Sequence, residues 1–392
     1  MSNLTLTPLH SLKTGTWFKL ICGASYQHLP SIRNLALVYT LAGADCIDMA
    51  PDPAVIHAVH QGIAAAQGLA RTRGARHPER KPWLMVSFND GEDPHFRKAV
   101  LRDAEMCPTN CHRPCEPVCP TAAISSVVAN GLDHDLRPAD QIAEQISHQV
   151  FITPDLCYGC GRCLNVCPSN LITAKEQVYR PEFLWEDLEL DSLPKDNGKD
   201  NGTDAALTGV SGQKSSQVMI DAIEIHTQPH RAQEFRAFWQ RISPIVPTLS
   251  LMAVSFPDCD DLEAYLRALL ECMEPRPQHL IWQTDGRPMS GDIGAGTTHA
   301  ALHLARKVLD FQLPMGFVQL AGGTNHTTVA KMRQQGIKAA GIAYGSYGRK
   351  ILADLLDRHQ GNLEDYPEIL DQAVKIARSL VEPLKGASPG DF

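Results

Sequence analysis

The sequence predicts a (β/α)8 barrel of the TIM type that is interrupted by a cysteine-rich insertion. Short apolar runs alternate with segments of helical periodicity, which is typical of parallel strands covered by helices. Three strand–helix units precede the cysteines and five strands follow them, which gives the eight strands of such a barrel. Eight of the twelve cysteines fall between Cys107 and Cys167. An open, doubly wound α/β sheet is the alternative, because strand counts alone do not exclude it.

The first part of the barrel is predicted from turn and capping signals. Its three strands are Trp17–Cys22, Asp45–Met49 and Trp83–Phe88. Ser31 is the expected N-cap of a helix that reaches Leu41, and Asp52-Pro53 begins a helix that runs to about Ala70. Residues 89–106 are predicted to form a loop and one helix leading to Cys107.

The second part repeats the alternation. The predicted strands are Val218–His226, Thr248–Phe256, His279–Gln283, Phe317–Leu320 and Ala339–Tyr344. The predicted helices are Arg231–Ile242, Asp261–Met273, Thr297–Leu309, Thr327–Gln335, Arg349–Asp357 and Tyr366–Leu380.

These elements predict a division of the chain into five parts. Residues 1–100 form the first part of the barrel, and residues 101–190 form a ferredoxin-like insertion. Residues 191–216 are polar and rich in Gly, Asn and Asp, which indicates a linker. Residues 217–360 complete the barrel, and residues 361–392 form a C-terminal helix and tail. The insertion follows the third strand at its carboxyl end, the face where barrel active sites lie.

Composition narrows the function classes. The chain has 392 residues, and its net charge of -8 leaves no basic stripe with which to bind nucleic acid. No apolar run is long enough to span a membrane, and the N-terminus lacks the layout of a secretory signal. We therefore expect a cytoplasmic protein with reduced thiols, whose cysteines are metal ligands rather than disulfides.

The second cysteine run has the spacing of a bacterial ferredoxin. Its four members are Cys157, Cys160, Cys163 and Cys167, and Pro168 follows the last. This pattern predicts a [4Fe–4S] cluster. Zinc is the alternative, but zinc sites usually split their cysteines into two separated pairs. A strand at Gln149–Ile152 is expected before the run and a short helix after Pro168.

The first run is more widely spaced. Cys107, Cys111, Cys115 and Cys119 are each separated by three residues, one more than usual at the first two gaps. This run therefore predicts a [4Fe–4S] cluster, or a [3Fe–4S] cluster if one thiolate is displaced from its iron. His112 is interpreted as an exposed loop residue rather than a ligand.

In two-cluster ferredoxins, the fourth cysteine of each run ligates the other cluster. The expected first ligand set is Cys107, Cys111, Cys115 and Cys167. The expected second set is Cys157, Cys160, Cys163 and Cys119. The four remaining cysteines occupy apolar contexts and are interpreted as small buried hydrophobes: Cys22, Cys46, Cys259 and Cys272.

A candidate phosphate site lies after the last two strands. In barrels, the loops at this position often bind phosphate through backbone N–H groups at glycines. The candidate residues are Gly322, Gly323, Gly345, Ser346 and Arg349. This end resembles the phosphate-binding end of flavin-dependent barrels such as dihydroorotate dehydrogenases, so FMN is a candidate ligand. The sixth strand lacks the lysine that such barrels often carry.

Three longer stretches resemble the light-dependent period protein A family of cyanobacteria, over nearly the whole length. They are KLICGASYQHLPSIRNLALVYTLAGADCIDMAPDP, MCPTNCHRPCEPVCPTAAI and QLAGGTNHTTVAKMR. The resemblance implies an iron–sulfur protein of the circadian input path that senses redox state as a proxy for light intensity. It also implies association with the input and output histidine kinases of the clock and with the Kai complex, and the eight cluster cysteines carry over.

Two functions are therefore expected as alternatives. The first is a redox sensor that exchanges electrons with carriers such as quinone or ferredoxin. The second is an oxidoreductase in which the clusters relay electrons to a flavin at the mouth of the barrel. The sequence leaves open whether the protein is an enzyme.

Overall fold

A computed structural model describes most of the chain. The described residues are 7–22, 29–72, 80–91, 97–102, 107–108, 110–119, 122–129, 147–154, 156–157, 162–176, 181–182, 184, 220–287, 296–359 and 361–386. The predicted linker at 191–216 therefore lies outside the described residues.

Eight parallel strands form a closed barrel, which confirms the predicted (β/α)8 fold and shows that the open sheet is wrong. The strands are β1 (Trp17–Ile21), β2 (Cys46–Met49), β3 (Trp83–Asn89), β8 (Ala222–His226), β9 (Leu251–Phe256), β10 (Leu280–Asp285), β11 (Phe317–Ala321) and β12 (Gly341–Tyr344). Their order around the barrel is β1-β12-β11-β10-β9-β8-β3-β2. The chain leaves the barrel after β3 and re-enters it at β8.

Helices surround this barrel. They are α1 (Pro8–Lys13), α2 (Leu29–Ala42), α3 (Pro53–Thr72), α4 (Ala232–Ile242), α5 (Leu262–Cys272), α6 (Thr298–Asp310), α7 (Thr328–Gln334), α8 (Ser346–Arg358) and α9 (Pro367–Lys385). Within the described residues, no helix is long and apolar enough to cross a membrane.

The main core lies between the strands and the helices. Side chains such as Phe18, Tyr39 and Tyr344 are fully buried there, and the Phe18 ring stacks on Tyr39 and Tyr344 at 5.8 and 5.1 Å between centroids. A second apolar cluster closes the amino-terminal end of the barrel interior. It includes Trp17, Met85, Leu251 and Ile281. The carboxyl end of the interior carries polar residues instead.

Two antiparallel strand pairs are present in the described residues of the insertion. β4 (Arg97–Leu101) pairs with β7 (Ile172–Glu176), and β5 (Ile124–Ala129) pairs with β6 (Ser147–Ile152). β4, which precedes the first cysteine run, therefore pairs with β7, which follows the second run. β5, which follows the first run, pairs with β6, which precedes the second run. This cross-pairing gives the module an approximate two-fold symmetry and brings the two runs together.

Two local predictions in this region were wrong. Residues 97–101 were expected in a helix and form β4, and the short helix expected after Pro168 is a turn followed by β7. Each strand forms because it pairs with the other in register from Arg97↔Glu176 to Leu101↔Ile172. That pairing is non-local, so the helical periodicity of the local sequence does not reveal it.

Candidate iron–sulfur module and barrel mouth

The two Cys-Pro turns have matching backbone geometry. Ala122 and Asn170, each three residues after the last cysteine of its run, adopt left-handed φ angles of 52° and 51°. The next backbone N–H donates to the cysteine sulfur in both turns, from Ala123 to Cys119 Sγ at 3.2 Å and from Leu171 to Cys167 Sγ at 3.3 Å. The sequence showed the shared Cys-Pro ending but not this turn. Hydrogen bonds to the sulfurs are one determinant of the reduction potential of an iron–sulfur cluster.

The structure brings three cysteines of the first run to the last cysteine of the second. Cys107, Cys111, Cys115 and Cys167 line one cavity. The remaining lining residues are mostly apolar and come from the turn after Cys167 and from the strands of the module: Leu101, Val150, Pro168, Ser169, Leu171 and Ile172. These four cysteines are the predicted first ligand set, in which Cys167 crosses over from the other run.

The second predicted set is described in part. Cys163 is buried in the apolar core of the module, and Cys119 and Cys157 pack against that core. The backbone N–H of Ala99 on β4 donates to Cys157 Sγ at 3.4 Å. Cys160 lies outside the described residues.

The donor chemistry around the first cavity fits an iron–sulfur cluster. Burial raises the pKa of the Cys107 and Cys115 thiols. At Cys167 burial acts in the same direction, but backbone N–H groups from Ser169 to Ile172 outweigh it and lower the pKa. Thiolate is the form that binds iron, and the four cysteines line one apolar cavity. In the described part of the chain, no group of three or more His, Cys, Asp or Glu side chains is placed to bind a single metal ion.

The other cysteines mostly follow the prediction. Cys22, Cys46 and Cys272 are buried, at 0%, 0% and 8% exposure. Cys259 is partly exposed, so the prediction was wrong for that residue. His112 is exposed, as expected of a loop residue.

The candidate phosphate loops lie together at the carboxyl ends of β11 and β12. Thr324 Oγ1 in the first loop donates to the Ala343 carbonyl of β12 at 2.6 Å. Gly322 and Gly323 have φ angles of 64° and 91°. A Cβ at Gly322 would lie 2.7 Å from the Arg287 nitrogen, and one at Gly323 would lie 2.7 Å from the Thr297 oxygen. The turn geometry and the close packing of this loop are therefore sufficient to require both glycines.

Arg349 on α8 points to the end of β1. Its Nη1 donates to the Ile21 carbonyl at 2.9 Å, and its Nη2 lies 3.4 Å from Ser346 Oγ. Burial lowers the pKa of Arg349, and the nearby Cys22 acts in the opposite direction. A guanidinium in this position would favour an anionic group beside it.

A network of ion pairs lies inside the barrel, and it was not predicted from the sequence. Lys19 on β1 is fully buried, and its ammonium group lies 3.1 Å from Asp48 Oδ2 on β2. It also forms a close ion pair with Glu224 on β8. Burial opposes the charge on Lys19, but the two carboxylates outweigh it and raise its pKa. Lys19 in turn lowers the pKa of Glu224 against the effect of burial, whereas burial dominates at Asp48 and raises its pKa.

Two glutamines extend this network across the barrel. Gln283 Nε2 donates to Glu224 Oε1 at 2.8 Å, and Gln319 Nε2 donates to Gln283 Oε1 at 2.6 Å. Trp17 Nε1 donates to Gln319 Oε1 at 2.6 Å. The available signal was the presence of polar residues within otherwise apolar strands, because such residues are rarely placed in a barrel core without a partner.

At the mouth the network ends in groups that face solvent. His226 Nδ1 lies 3.5 Å from Glu224 Oε1 and forms a close hydrogen bond with Ser255, and the His226 side chain is 35% exposed. Burial raises the pKa of Asp285 to about 7. A carboxyl group that titrates near neutral pH, as Asp285 does, is suited to proton transfer.

A barrel that carries a ferredoxin-like cysteine module between its third and fourth strands defines a class of iron–sulfur barrel proteins. Two family models match the chain: the LdpA Fe-S cluster-binding domain over residues 107–178, and the Light dependent period A C-terminal domain over residues 215–383. Light dependent period A of Synechococcus elongatus is 45% identical over 394 residues, which cover 98% of this chain and 95% of that protein. The chain belongs to the light dependent period A family, which confirms the resemblance stated above.

Other matches are shorter or more remote. A ferredoxin of Sorangium cellulosum is 29% identical over 75 residues, covering 19% of this chain and 70% of the ferredoxin. Pyruvate-flavodoxin oxidoreductase of Klebsiella pneumoniae is 36% identical over 99 residues, covering 23% of this chain and 8% of that protein. Among solved structures, a pyruvate kinase from Cryptosporidium parvum aligns with 95% of this chain and 70% of its own, at 9% identity and a TM-score of 0.34.

Proposed function

We propose that this protein is an iron–sulfur redox sensor that couples the photosynthetic or cellular redox state, and thereby light intensity, to the period of the circadian clock. The observation that carries the proposal is the single cavity lined by Cys107, Cys111, Cys115 and Cys167. Family membership and the match to an Fe-S cluster-binding domain support it.

The eight predicted cysteines are the proposed ligands. Cys107, Cys111, Cys115 and Cys167 would bind one cluster, of the [4Fe–4S] or [3Fe–4S] type. Cys157, Cys160, Cys163 and Cys119 would bind a [4Fe–4S] cluster. Such clusters exchange single electrons at potentials set by hydrogen bonds and solvent exposure. The N–H groups of Ala123, Leu171, Ala99 and Arg113 would contribute to those potentials, because each donates to a ligand sulfur.

The proposed partners follow from this role. Electrons would come from a carrier such as quinone or ferredoxin, in the cytoplasm. The response would reach the clock through its input and output histidine kinases and the Kai complex. Two large apolar side chains of the module, Phe151 at 42% exposure and Leu156 at 44%, lie near the Cys157 run and offer one surface for a carrier.

The test is anaerobic purification of the full chain with iron, sulfide and flavin analysis, followed by a redox titration. About eight irons per chain, or seven with one three-iron cluster, and reversible reduction support the sensor. A protein that contains no iron, or whose clusters are not reduced within the range of cellular carriers, contradicts it.

The second candidate is an oxidoreductase with a flavin at the barrel mouth. The observation that favours it is the grouping of titratable residues at the mouth, with Asp285 raised to a pKa of about 7 beside the partly exposed His226. Arg349, with Gly322, Gly323, Gly345 and Ser346, would hold a phosphate such as that of FMN. Release of a stoichiometric flavin from the purified protein supports this alternative, and its absence leaves the sensor.

A further inference from the structure

A buried lysine connects the iron–sulfur module to the barrel. Lys98 lies on β4, the first strand of the module, and is 4% exposed. Its Nζ lies 3.2 Å from Oδ2 of Asp52, which follows β2 of the barrel and is 1% exposed. The two charges therefore meet where neither is well screened by solvent.

The same lysine contacts the segment that carries Cys157. Its Nζ donates to the Pro154 carbonyl at 2.5 Å, and the Cys157 N–H donates to that same carbonyl at 3.1 Å. The residue after Lys98 on β4, Ala99, donates its N–H to Cys157 Sγ at 3.4 Å. Lys98 is thus separated from the Cys157 backbone by one shared acceptor, and its strand hydrogen-bonds the sulfur directly.

On the barrel side, Asp52 holds the first turn of α3. Its Oδ1 accepts the N–H of Ala54 at 2.9 Å, and its carbonyl accepts the N–H of Ile56 at 2.9 Å. The strand that precedes Asp52 carries Asp48, which lies 3.1 Å from Lys19 in the barrel interior. A change in the Lys98–Asp52 contact would therefore affect the start of α3 and the carboxyl end of β2, at the mouth of the barrel.

We propose that Lys98 transmits the charge state of the Cys157 site to the barrel, because its ammonium group is shared between the cysteine segment and Asp52. The proposal rests on the redox function proposed above. A one-electron carrier delivers one electron to the Cys157 site, the site becomes more negative by one charge, and no covalent bond breaks. Lys98 stabilises the added charge, and its ion pair with Asp52 becomes weaker. The first turn of α3 then becomes less stable.

The first test replaces the lysine by a neutral residue of similar length, Lys98→Gln, in the full chain with its clusters. Lys175 on β7 is the matched control, because it is the register partner of Lys98 in the same strand pair and is exposed. Redox titrations followed by electron paramagnetic resonance give the two midpoint potentials. We expect Lys98→Gln to disfavour reduction of one cluster about tenfold, or about 59 mV for a one-electron couple. Lys98→Arg should keep the wild-type values.

The second test measures hydrogen exchange at the Ala54 and Ile56 amides in oxidised and reduced protein. Reduction should accelerate exchange in the wild type and in Lys175→Gln, and should have no effect in Lys98→Gln. If Lys98→Gln does not fold, Asp52→Asn tests the same link with the opposite sign. It should favour reduction, because the competing carboxylate is removed.

The outcomes separate this proposal from the function on which it rests. Wild-type clusters that cannot be reduced overturn both. Reversible reduction with the same midpoints and the same exchange response in Lys98→Gln as in Lys175→Gln overturns the role of Lys98 alone.

Discussion

The ammonium group of Lys19 lies 3.1 Å from the carboxylate of Asp48, inside a barrel where both side chains are almost completely removed from solvent. A barrel interior is ordinarily filled by branched apolar side chains. Here the charged pair is joined by Glu224, so one cation lies between two carboxylates. Removing Lys19 would leave two buried carboxylates without the cation that contacts both of them.

Lys19→Met should therefore be strongly destabilising. It removes the cation that contacts two buried carboxylates, and breaking a buried pair from one side costs about 3–5 kcal/mol. Urea unfolding followed by circular dichroism measures the loss. The control is Arg267→Met, which breaks an exposed i,i+4 pair with Glu263 and should cost less than about 1 kcal/mol. Equal losses in the two variants would contradict a structural role for the interior network.

Because Cys167 is assigned to the same ligand set as the first three cysteines of the first run, its variant should behave like a variant of that run. Cys167→Ser should remove the same cluster signal as Cys111→Ser, although Cys167 belongs to the other run in sequence. Cys163→Ser and Cys160→Ser should remove the second signal instead. Iron content and the paramagnetic spectrum of the anaerobic protein distinguish the two groups. Cys259→Ser, outside the module, should leave both unchanged. Loss of the second signal in Cys167→Ser would show that each run holds its own cluster.

Gly322 and Gly336 have nearly the same φ angle but different surroundings. Comparing their alanine variants therefore separates the cost of steric contact from the cost of a left-handed backbone. Gly322 has a φ of 64° and Gly336 a φ of 62°, but only at Gly322 would a Cβ meet backbone atoms, at 2.7 Å from the Arg287 nitrogen. Gly336→Ala should cost about 1–2 kcal/mol from the left-handed conformation alone. Gly322→Ala should cost at least about 1 kcal/mol more from overpacking. Thermal unfolding measures both. Equal losses would mean that the loop has room for a side chain, and iron content should be unchanged in each variant.

The raised pKa of Asp285 should make the stability of the protein depend on pH. Its pKa is raised to about 7 in the folded protein from an ordinary 3.8, because of burial. Between these two values the folded chain retains a proton that the unfolded chain has lost, so this group makes the protein less stable as pH rises from about 4 to about 7.

Asp285→Asn should remove that dependence. Relative to wild type, its stability against unfolding should be about 1–3 kcal/mol greater at pH 8 than at pH 5. This is less than the full pKa shift implies, because Asp285 is partly exposed. Asp354→Asn, at an exposed position of α8, should differ from wild type by the same amount at both pH values. A wild-type-like profile for Asp285→Asn would contradict the raised pKa.

The barrel strands were largely predictable, and the strands of the module were not. Trp83–Phe88 was predicted where Trp83–Asn89 is observed, because buried parallel strands are continuous apolar runs that can be recognised locally. Arg97–Leu101 has no such run. It is a strand because Ile172–Glu176 pairs with it from more than 70 residues away.

Some residues of the candidate sites could likewise be predicted from the sequence, and others could not. The cysteines could be proposed as ligands because their spacing is itself the signal of cluster chemistry. Lys19 and Glu224 were missed, since each lies alone in an apolar strand and their 205-residue separation hides the contact. The candidate phosphate glycines were found as a pattern, but only the structure supplies the steric reason for Gly322 and Gly323.

The sequence by itself determined the class of this protein: an eight-stranded α/β barrel with a ferredoxin-like insertion, in a family recognisable from local motifs. Those features depend on periodicity and on spacing within a few residues. The tertiary structure alone decided which cysteines share a cavity, that Lys19 is buried between two carboxylates, and that Lys98 meets Asp52. Each of those contacts joins residues that are distant in the chain, and barrel closure and strand pairing bring them together.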